Sequence, residues 1–320
     1  MAQTRLKPIR IGYRHNLEVL TFILRDSGLL QKYGLEPTVR HVPDSTEGNQ
    51  MLYKGEVDFF LGNHISPYVE RKHSGAHFVY LAQPSNIWPS KLIVKPWINS
   101  VNDLKGKGIT FKGERGSHGD LANRGKLAYA GIDLKRDGII EVRQDDKDIN
   151  YVEKYKQFLN NDDAAATQLS PPYDVIAKRD GLKVLDIPEY PQIHNVTINS
   201  ISETIKSKPG ETMAFLKAYC EAICLFKTQK ERTKELLWEA LSAKLHFDDE
   251  AIERLYQDVD STMQKKPYPS TAAINNTFAL ALEDYPELED MNPVSMWDLH
   301  FLRELDDEGF IDELYQKAGQ

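Results

Sequence analysis

The amino-acid sequence predicts a two-lobed α/β protein with a helical C-terminal tail. Three observations lead there. The chain has 320 residues, enough for about two domains at roughly 100–200 residues each. Between Pro8 and Ile187, short β-branched runs alternate with segments of helical period, in two successive rounds. From Glu211 onward only helical periodicity is left.

In the first round, residues 8–13 (PIRIGY) form the opening strand. Leu17, Leu20, Ile23 and Leu24 then fall at helical spacing, with Asn16 placed to cap the helix and Gly28 and Gly34 to end it. Residues 38–42 (TVRHV) alternate as a strand, and 47–54 make a short helix. Residues 57–61 (VDFFL) form a buried strand stopped by Gly62. Residues 66–72 are helical, with Pro67 in the first turn, where its missing N–H costs nothing. Residues 78–82 close the round as a strand.

The second round starts with strand 91–94 and a polar turn, 103–108 (DLKGKG). Strand 108–112, a glycine-rich loop at 113–119 (GERGSHG) and helix 120–130 follow. Strand 139–143, helix 151–159 and the small-residue strand 163–169 (DAAATQL) come next. Ser170-Pro171-Pro172 opens a helix through Lys178, and 183–187 is the last strand. The tail divides into helices at 211–229, 231–244, 248–263, 271–285 and 294–305.

Hydrophobic residues make up 41% and charged residues 28%, a globular composition rather than a disordered one. The formal net charge of −8 argues against a nucleic-acid surface, which is normally basic. No stretch reaches the ~20 apolar residues of a membrane span, so no membrane insertion is expected. Arg5, Lys7 and Arg10 precede no apolar core of a secretory signal. With Met1 as the natural start the chain is expected in the cytoplasm, and with a leader removed ahead of it, in the periplasm. Cys220 and Cys224 are the two cysteines. One helical turn apart beside Phe215, Leu216 and Ile223, they are expected as core thiols.

Several stretches in a fixed order resemble a known family. IGYRHN…LRDSGLLQKYGLEPTVRHV and MLYKGEVDFFLGNHISPY, at the amino end, are similar to the bacterial solute-binding proteins for nitrate, taurine and alkanesulfonates. The fungal pyrimidine-precursor synthases belong to the same superfamily. NDLKGKGITFKGERGSHGD resembles the family's entry into its second lobe, DAAATQLSPPYDVIAKRDG its third loop, and AFLKAYCEAICLF its C-terminal helix. The resemblance implies a type II periplasmic-binding-protein fold. Lobe 1 is expected at residues 1–93 and 197–320 and lobe 2 at 94–196, with the ligand cleft between them and hinge closure around the ligand.

In such sheets ligands lie beyond the carboxyl ends of the strands, and that rule selects the candidate residues. After the first strand come Tyr13, Arg14 and His15, and after VDFFL come Asn63, His64 and Ser66. If the strands are parallel, both groups end at one rim. A guanidinium and two imidazoles there suit a carboxylate, sulfonate or phosphate, and His15 or His64 suits proton transfer. The plain alternative is that each side chain caps its own loop. In the glycine-rich loop, Arg115, Gly116, Ser117 and His118, with Lys112 beside them, offer close backbone approach and free N–H groups to an anion. A solvated turn needs the same glycines. Trp88 suits stacking on an aromatic ligand or packing at the lobe crossing, and Tyr173, after Ser170 and the two prolines, has the same two readings.

His73 and His77 lack the glutamate of a zinc-helix motif, so no metal is expected. The run Glu304, Asp306, Asp307 and Glu308 has the character of a solvated helix end. Two functions stay open. One is a binding protein for a small anionic organic molecule, working with an ABC-importer permease or as a cytosolic relative. The other is a cytoplasmic decarboxylase or lyase that uses the rim histidines. The superfamily's enzymes leave no clear mark. Residues 57–68 lack a lysine for a pyridoxal cofactor, the cysteine-rich stretch of the fungal synthases is missing, and the first-strand loop has no desulfinase cysteine. No cofactor is implied.

Overall fold

The computed structural model describes residues 5–14, 19–112, 118–144, 151–193, 197–245 and 247–319, with backbone alone for 112, 118, 151 and 242–245. In chain order the elements begin β1 (Lys7–Tyr13), α1 (Val19–Asp26), α2 (Leu29–Lys32), β2 (Leu35–His41), α3 (Ser45–Tyr53), β3 (Phe59–Leu61), α4 (Ser66–Ser74) and β4 (Phe78–Ala82). Next come β5 (Ile87–Trp88), β6 (Lys91–Val94), β7 (Gly108–Lys112), α5 (His118–Tyr129) and β8 (Ile140–Gln144). They are followed by α6 (Tyr151–Leu159), β9 (Ala164–Leu169), α7 (Tyr173–Arg179), β10 (Lys183–Leu185) and β11 (Tyr190–Pro191). The chain finishes with β12 (Ile198–Ile201), α8 (Ser202–Ser207), α9 (Pro209–Thr228), α10 (Lys230–Leu245), α11 (Asp249–Thr262), α12 (Thr271–Asp284), α13 (His300–Asp307) and α14 (Phe310–Lys317). No helix among the described residues is long and apolar enough to cross a membrane.

Two compact units emerge. The first contains Met1–Asn86, Ile193–Leu241 and Val259–Gln320, and the second Ile87–Gln192 and Ser242–Asp258. The sequence reading puts the crossings a few residues later and leaves 242–258 with the tail.

In the first unit the sheet runs β2-β1-β3-β12-β4. β1 pairs in parallel with β2 and β3, while β12 lies antiparallel between β3 and β4. Phe60 of β3 fits because its neighbours lack side chains. A Cβ on Gly12 or Gly48 would come within 2.5 or 2.4 Å of its ring. Phe59, on the opposite sheet face, stacks on Phe215 of α9 at 4.3 Å. α9 buries Phe215, Leu216, Tyr219, Cys220, Ile223 and Phe226, each large apolar side chain contributing about 1.5–3 kcal/mol. At the amino ends of the strands, Asp58 accepts hydrogen bonds from the Arg10 backbone and guanidinium and from Lys208.

The second unit's sheet runs β10-β6-β9-β7-β8, with β7 parallel to β8 and β9. Its core joins Leu92, Val94, Ile109, Phe111 and Leu127 to the small residues Ala165 and Ala166 of β9. Small residues are required there: a Cβ on Gly108 would lie 2.0 Å from the Asp163 carbonyl oxygen. β5 and β11 form a separate antiparallel pair.

The expected helix at 294–305 is broken. Residues 293–296 make a 3-10 turn, Trp297 is extended, and α13 starts at His300. Trp297 stacks on Tyr80 at 4.7 Å, and the Asp298 N–H donates to the Tyr80 carbonyl. That pairing with β4 competes with helix continuation and wins.

Candidate functional site

In the first unit the parallel register decides which loops meet. Tyr13 of β1 stands opposite Leu61 of β3, and the Arg14 N–H extends the ladder to the Leu61 carbonyl at 3.1 Å. The loops carrying Arg14 and Asn63 therefore leave the sheet side by side. Gly62 turns the chain out of β3 with φ +101°, a conformation L side chains rarely adopt. Its N–H donates to the Thr197 carbonyl.

Asn63 is fully buried, and its Nδ2 donates to Asn49 Oδ1 at 2.8 Å and to the Ser45 carbonyl at 3.1 Å. The Tyr80 hydroxyl donates to the carbonyl of buried His64. Burial pushes the Tyr80 phenol well above its ordinary pKa, which keeps it a neutral donor. Ser66 is the first residue of α4, followed by Pro67. Several buried polar atoms close by have no hydrogen-bond partner among the described residues: Asn49 Nδ2, Asn63 Oδ1, Ser66 Oγ and both amide atoms of Asn199. The large majority of buried side-chain polar atoms are satisfied in folded proteins, so among the described residues this rim holds unmet hydrogen-bonding capacity.

Tyr13, Arg14, Asn63, His64 and Ser66 thus share one end of the first sheet. His15 lies outside the described residues. His41, at the end of β2, belongs with them: its Nε2 is 3.0 Å from the Arg14 carbonyl, and its ring lies 5.0 Å from Tyr13. The sequence placed His41 in a strand and missed it, and only the β1–β2 register reveals it.

In the second unit, Arg115, Gly116 and Ser117 lie outside the described residues, and His118 is described only as the backbone that starts α5. Just inside that helix, buried Asp120 receives Arg124 Nε at 3.0 Å and Arg143 Nη1 at 2.6 Å. Both arginines also bond Glu141 at 2.6 Å. Arg124, then Arg143, holds the Glu141 carboxyl down to about 2 against the opposing effect of burial. Phe111 lies beneath both guanidiniums, 4.9 and 5.4 Å from its ring centre. The four charges cancel and fix the first turn of α5 on β7 and β8.

Ser170 follows β9, and the buried Tyr173 opens α7 with its ring 6.0 Å from both Tyr155 and Phe247. Trp88 donates its indole N–H to Asn123 Oδ1 at 2.8 Å. Next to it, buried Lys126 donates to the carbonyls of Trp88 at 3.3 Å and Ser90 at 2.5 Å. Among the described residues no three histidine, cysteine or acidic side chains group as metal ligands. His73 lies 3.1 Å from Glu287 on the surface. Cys220 and Cys224 are free, buried thiols of α9.

No protein-family model matches the chain, and no curated protein matches it in sequence. Solved structures do. The putative sulfonate ABC transporter periplasmic sulfonate-binding protein SsuA from Methylobacillus flagellatus KT is 18% identical, with a TM-score of 0.69 over 96% of this chain and 97% of its own. The desulfurization enzyme DSZB is 13% identical, with a TM-score of 0.65 over 94% and 99%. A Candida albicans gene product described as exhibiting the generic periplasmic binding protein fold is 15% identical, with a TM-score of 0.58 over 94% and 95%. The chain therefore has the two-lobed periplasmic-binding-protein fold.

Proposed function

We propose that the protein binds a small anionic organic molecule, a sulfonate, carboxylate or aromatic acid, at the carboxyl ends of its strands, as the receptor of an ABC-type importer. The observation that carries this reading is the set of buried polar atoms at the end of β3 that find no partner among the described residues, above all Asn63 Oδ1 and Ser66 Oγ. A buried polar group left unmade costs about 1–3 kcal/mol, and a guest with matching polar groups relieves that cost. The fold shared with a sulfonate-binding import component supports the ligand class. Arg14 and, from the sequence alone, Arg115 are the cations assigned to the anionic end, with Gly116 and Ser117 assigned to it as backbone donors on the same sequence reading.

Isothermal titration with taurine, ethanesulfonate and benzoate tests the assignment. A bound member should lose at least tenfold in affinity on Ser66→Ala, on Asn63→Ala and on Arg115→Ala, with circular dichroism unchanged. Parent-like affinity in all three variants would discard these residues. The desulfurization enzyme of the same fold keeps one further outcome in view. Mass spectrometry of the titrated sample shows whether the acid is converted, with His64 the group assigned to move a proton in that event.

A further inference from the structure

The acidic run at the end of α13 is not uniform. Asp306 is engaged, receiving Lys266 Nζ at 2.6 Å and the Tyr268 hydroxyl at 3.1 Å. Glu304, Asp307 and Glu308 are exposed and make no ion pair among the described residues. At spacings of three and four they share one helix face, where like charges repel. That face forms one wall of a groove of about 780 Å³. The rest of its lining is mainly apolar, Pro269, Ile274, Val294, Trp297 and Leu299, with Thr271. Val294 stays 49% exposed. Arg303 is the permanent cation among the lining residues, and His300 Nδ1 lies 2.5 Å from Asp298 Oδ1.

An apolar trough beside three uncompensated carboxylates suits a guest with an apolar anchor flanked by positive charge. We propose that this groove docks a short cationic amphipathic peptide segment of a partner protein, at a site separate from the strand-end rim. From His300 to Glu308 the wall is about 12 Å long at 1.5 Å per residue. That length fits three or four extended residues at about 3.3 Å each, room for one apolar side chain between two lysines or arginines. Both halves of the match are required. The carboxylates select the charge, and Val294 with Ile274 selects the anchor.

Fluorescence anisotropy with a labelled twelve-residue Lys/Leu peptide tests this on the full chain. Binding should weaken at least tenfold when Glu304→Gln, Asp307→Asn and Glu308→Gln are combined. It should persist when the exposed acids Glu36, Glu203 and Glu239 are neutralised together, the same charge change elsewhere on this unit. A Lys/Ser peptide of equal charge should bind at least tenfold more weakly, and a Glu/Leu peptide no better. The proposal falls if the Lys/Leu peptide does not bind. It also falls if the two triple variants lose affinity equally, the mark of diffuse attraction to a chain of net charge −8, or if the Lys/Ser or Glu/Leu peptide binds as well.

Discussion

Replacing Asp58 with alanine should destabilise the first unit by about 3 kcal/mol, because one buried carboxylate ties three segments together. Asp58 is 2% exposed. It accepts from the Arg10 backbone at 2.9 Å, from Arg10 Nε and Nη2 at 3.2 and 2.8 Å, and from Lys208 Nζ at 2.7 Å. Breaking a buried ion pair from one side costs about 3–5 kcal/mol. The low end applies because Arg10 and Lys208 are 42% and 37% exposed and can regain water. For a unit of roughly 200 residues that loss lowers the melting temperature by roughly 6–12 °C. Burial pushes the Asp58 pKa up, but the bonds from Arg10 and Lys208 outweigh it and hold the carboxyl below its ordinary value. The unfolded chain therefore binds the proton first as pH falls. The stabilisation is complete above about pH 4, the unfolded carboxylate range, and fades as pH drops through the lower folded value. Urea melts followed by tryptophan fluorescence at pH 7, 5 and 3 read both effects. A variant within about 0.5 kcal/mol of the parent at pH 7, or a gap that widens toward pH 3, would show that Asp58 does not tie these segments together.

Lys126 should also make stability rise with pH, but in an alkaline window, because its charged form is disfavoured in the fold. It is 3% exposed, and burial, then Lys91, lowers its pKa to about 8 against the upward pull of Asp258 and Glu189. The unfolded chain holds more protons between about pH 8 and 10.4, so stability should rise across that window by up to about 3 kcal/mol. Lys126→Met should flatten the rise in thermal melts, and an unchanged slope would show that another group titrates. Gly108→Ala should cost about 2–3 kcal/mol, because its Cβ would meet a main-chain oxygen at 2.0 Å. Gly106→Ala meets nothing within 4 Å and strains only its φ of +70°, for about 1–2 kcal/mol. Equal losses in urea melts would contradict the packing at β7–β9. Burial raises the Cys220 thiol to about 12, so it should resist a thiol reagent until the chain unfolds. Cys220→Ala should cost about 1 kcal/mol and leave ligand affinity unchanged.

How far the sequence was legible depends on whether a feature is local. Strands β4, β6 and β7 are legible to the residue because unbroken apolar or β-branched runs end at polar turns. β12 escaped because its buried Asn199 and Ser200 interrupt the apolar pattern, and partners on β3 and β4 make it a strand. The overlong helix at 294–305 failed for a related reason, since periodicity does not reveal that Tyr80 competes for Trp297. At the rim, Arg14 and Asn63 were legible because two parallel strands must end together. His41, the Asn49–Asn63 bond and the square of Asp120, Arg124, Glu141 and Arg143 depend on register, which no local pattern encodes.

If the strand-end rim holds a small organic anion, a thermal-shift panel of sulfonates, carboxylates and aromatic acids reveals it. A ligand at a hundredfold excess over its Kd adds about 2.7 kcal/mol. At least one acid should therefore raise the melting temperature by several degrees in the parent and by clearly less in Ser66→Ala. If no acid moves the parent, or if the shift is untouched when Asn63, Ser66 and Arg115 are all replaced, the ligand site lies elsewhere.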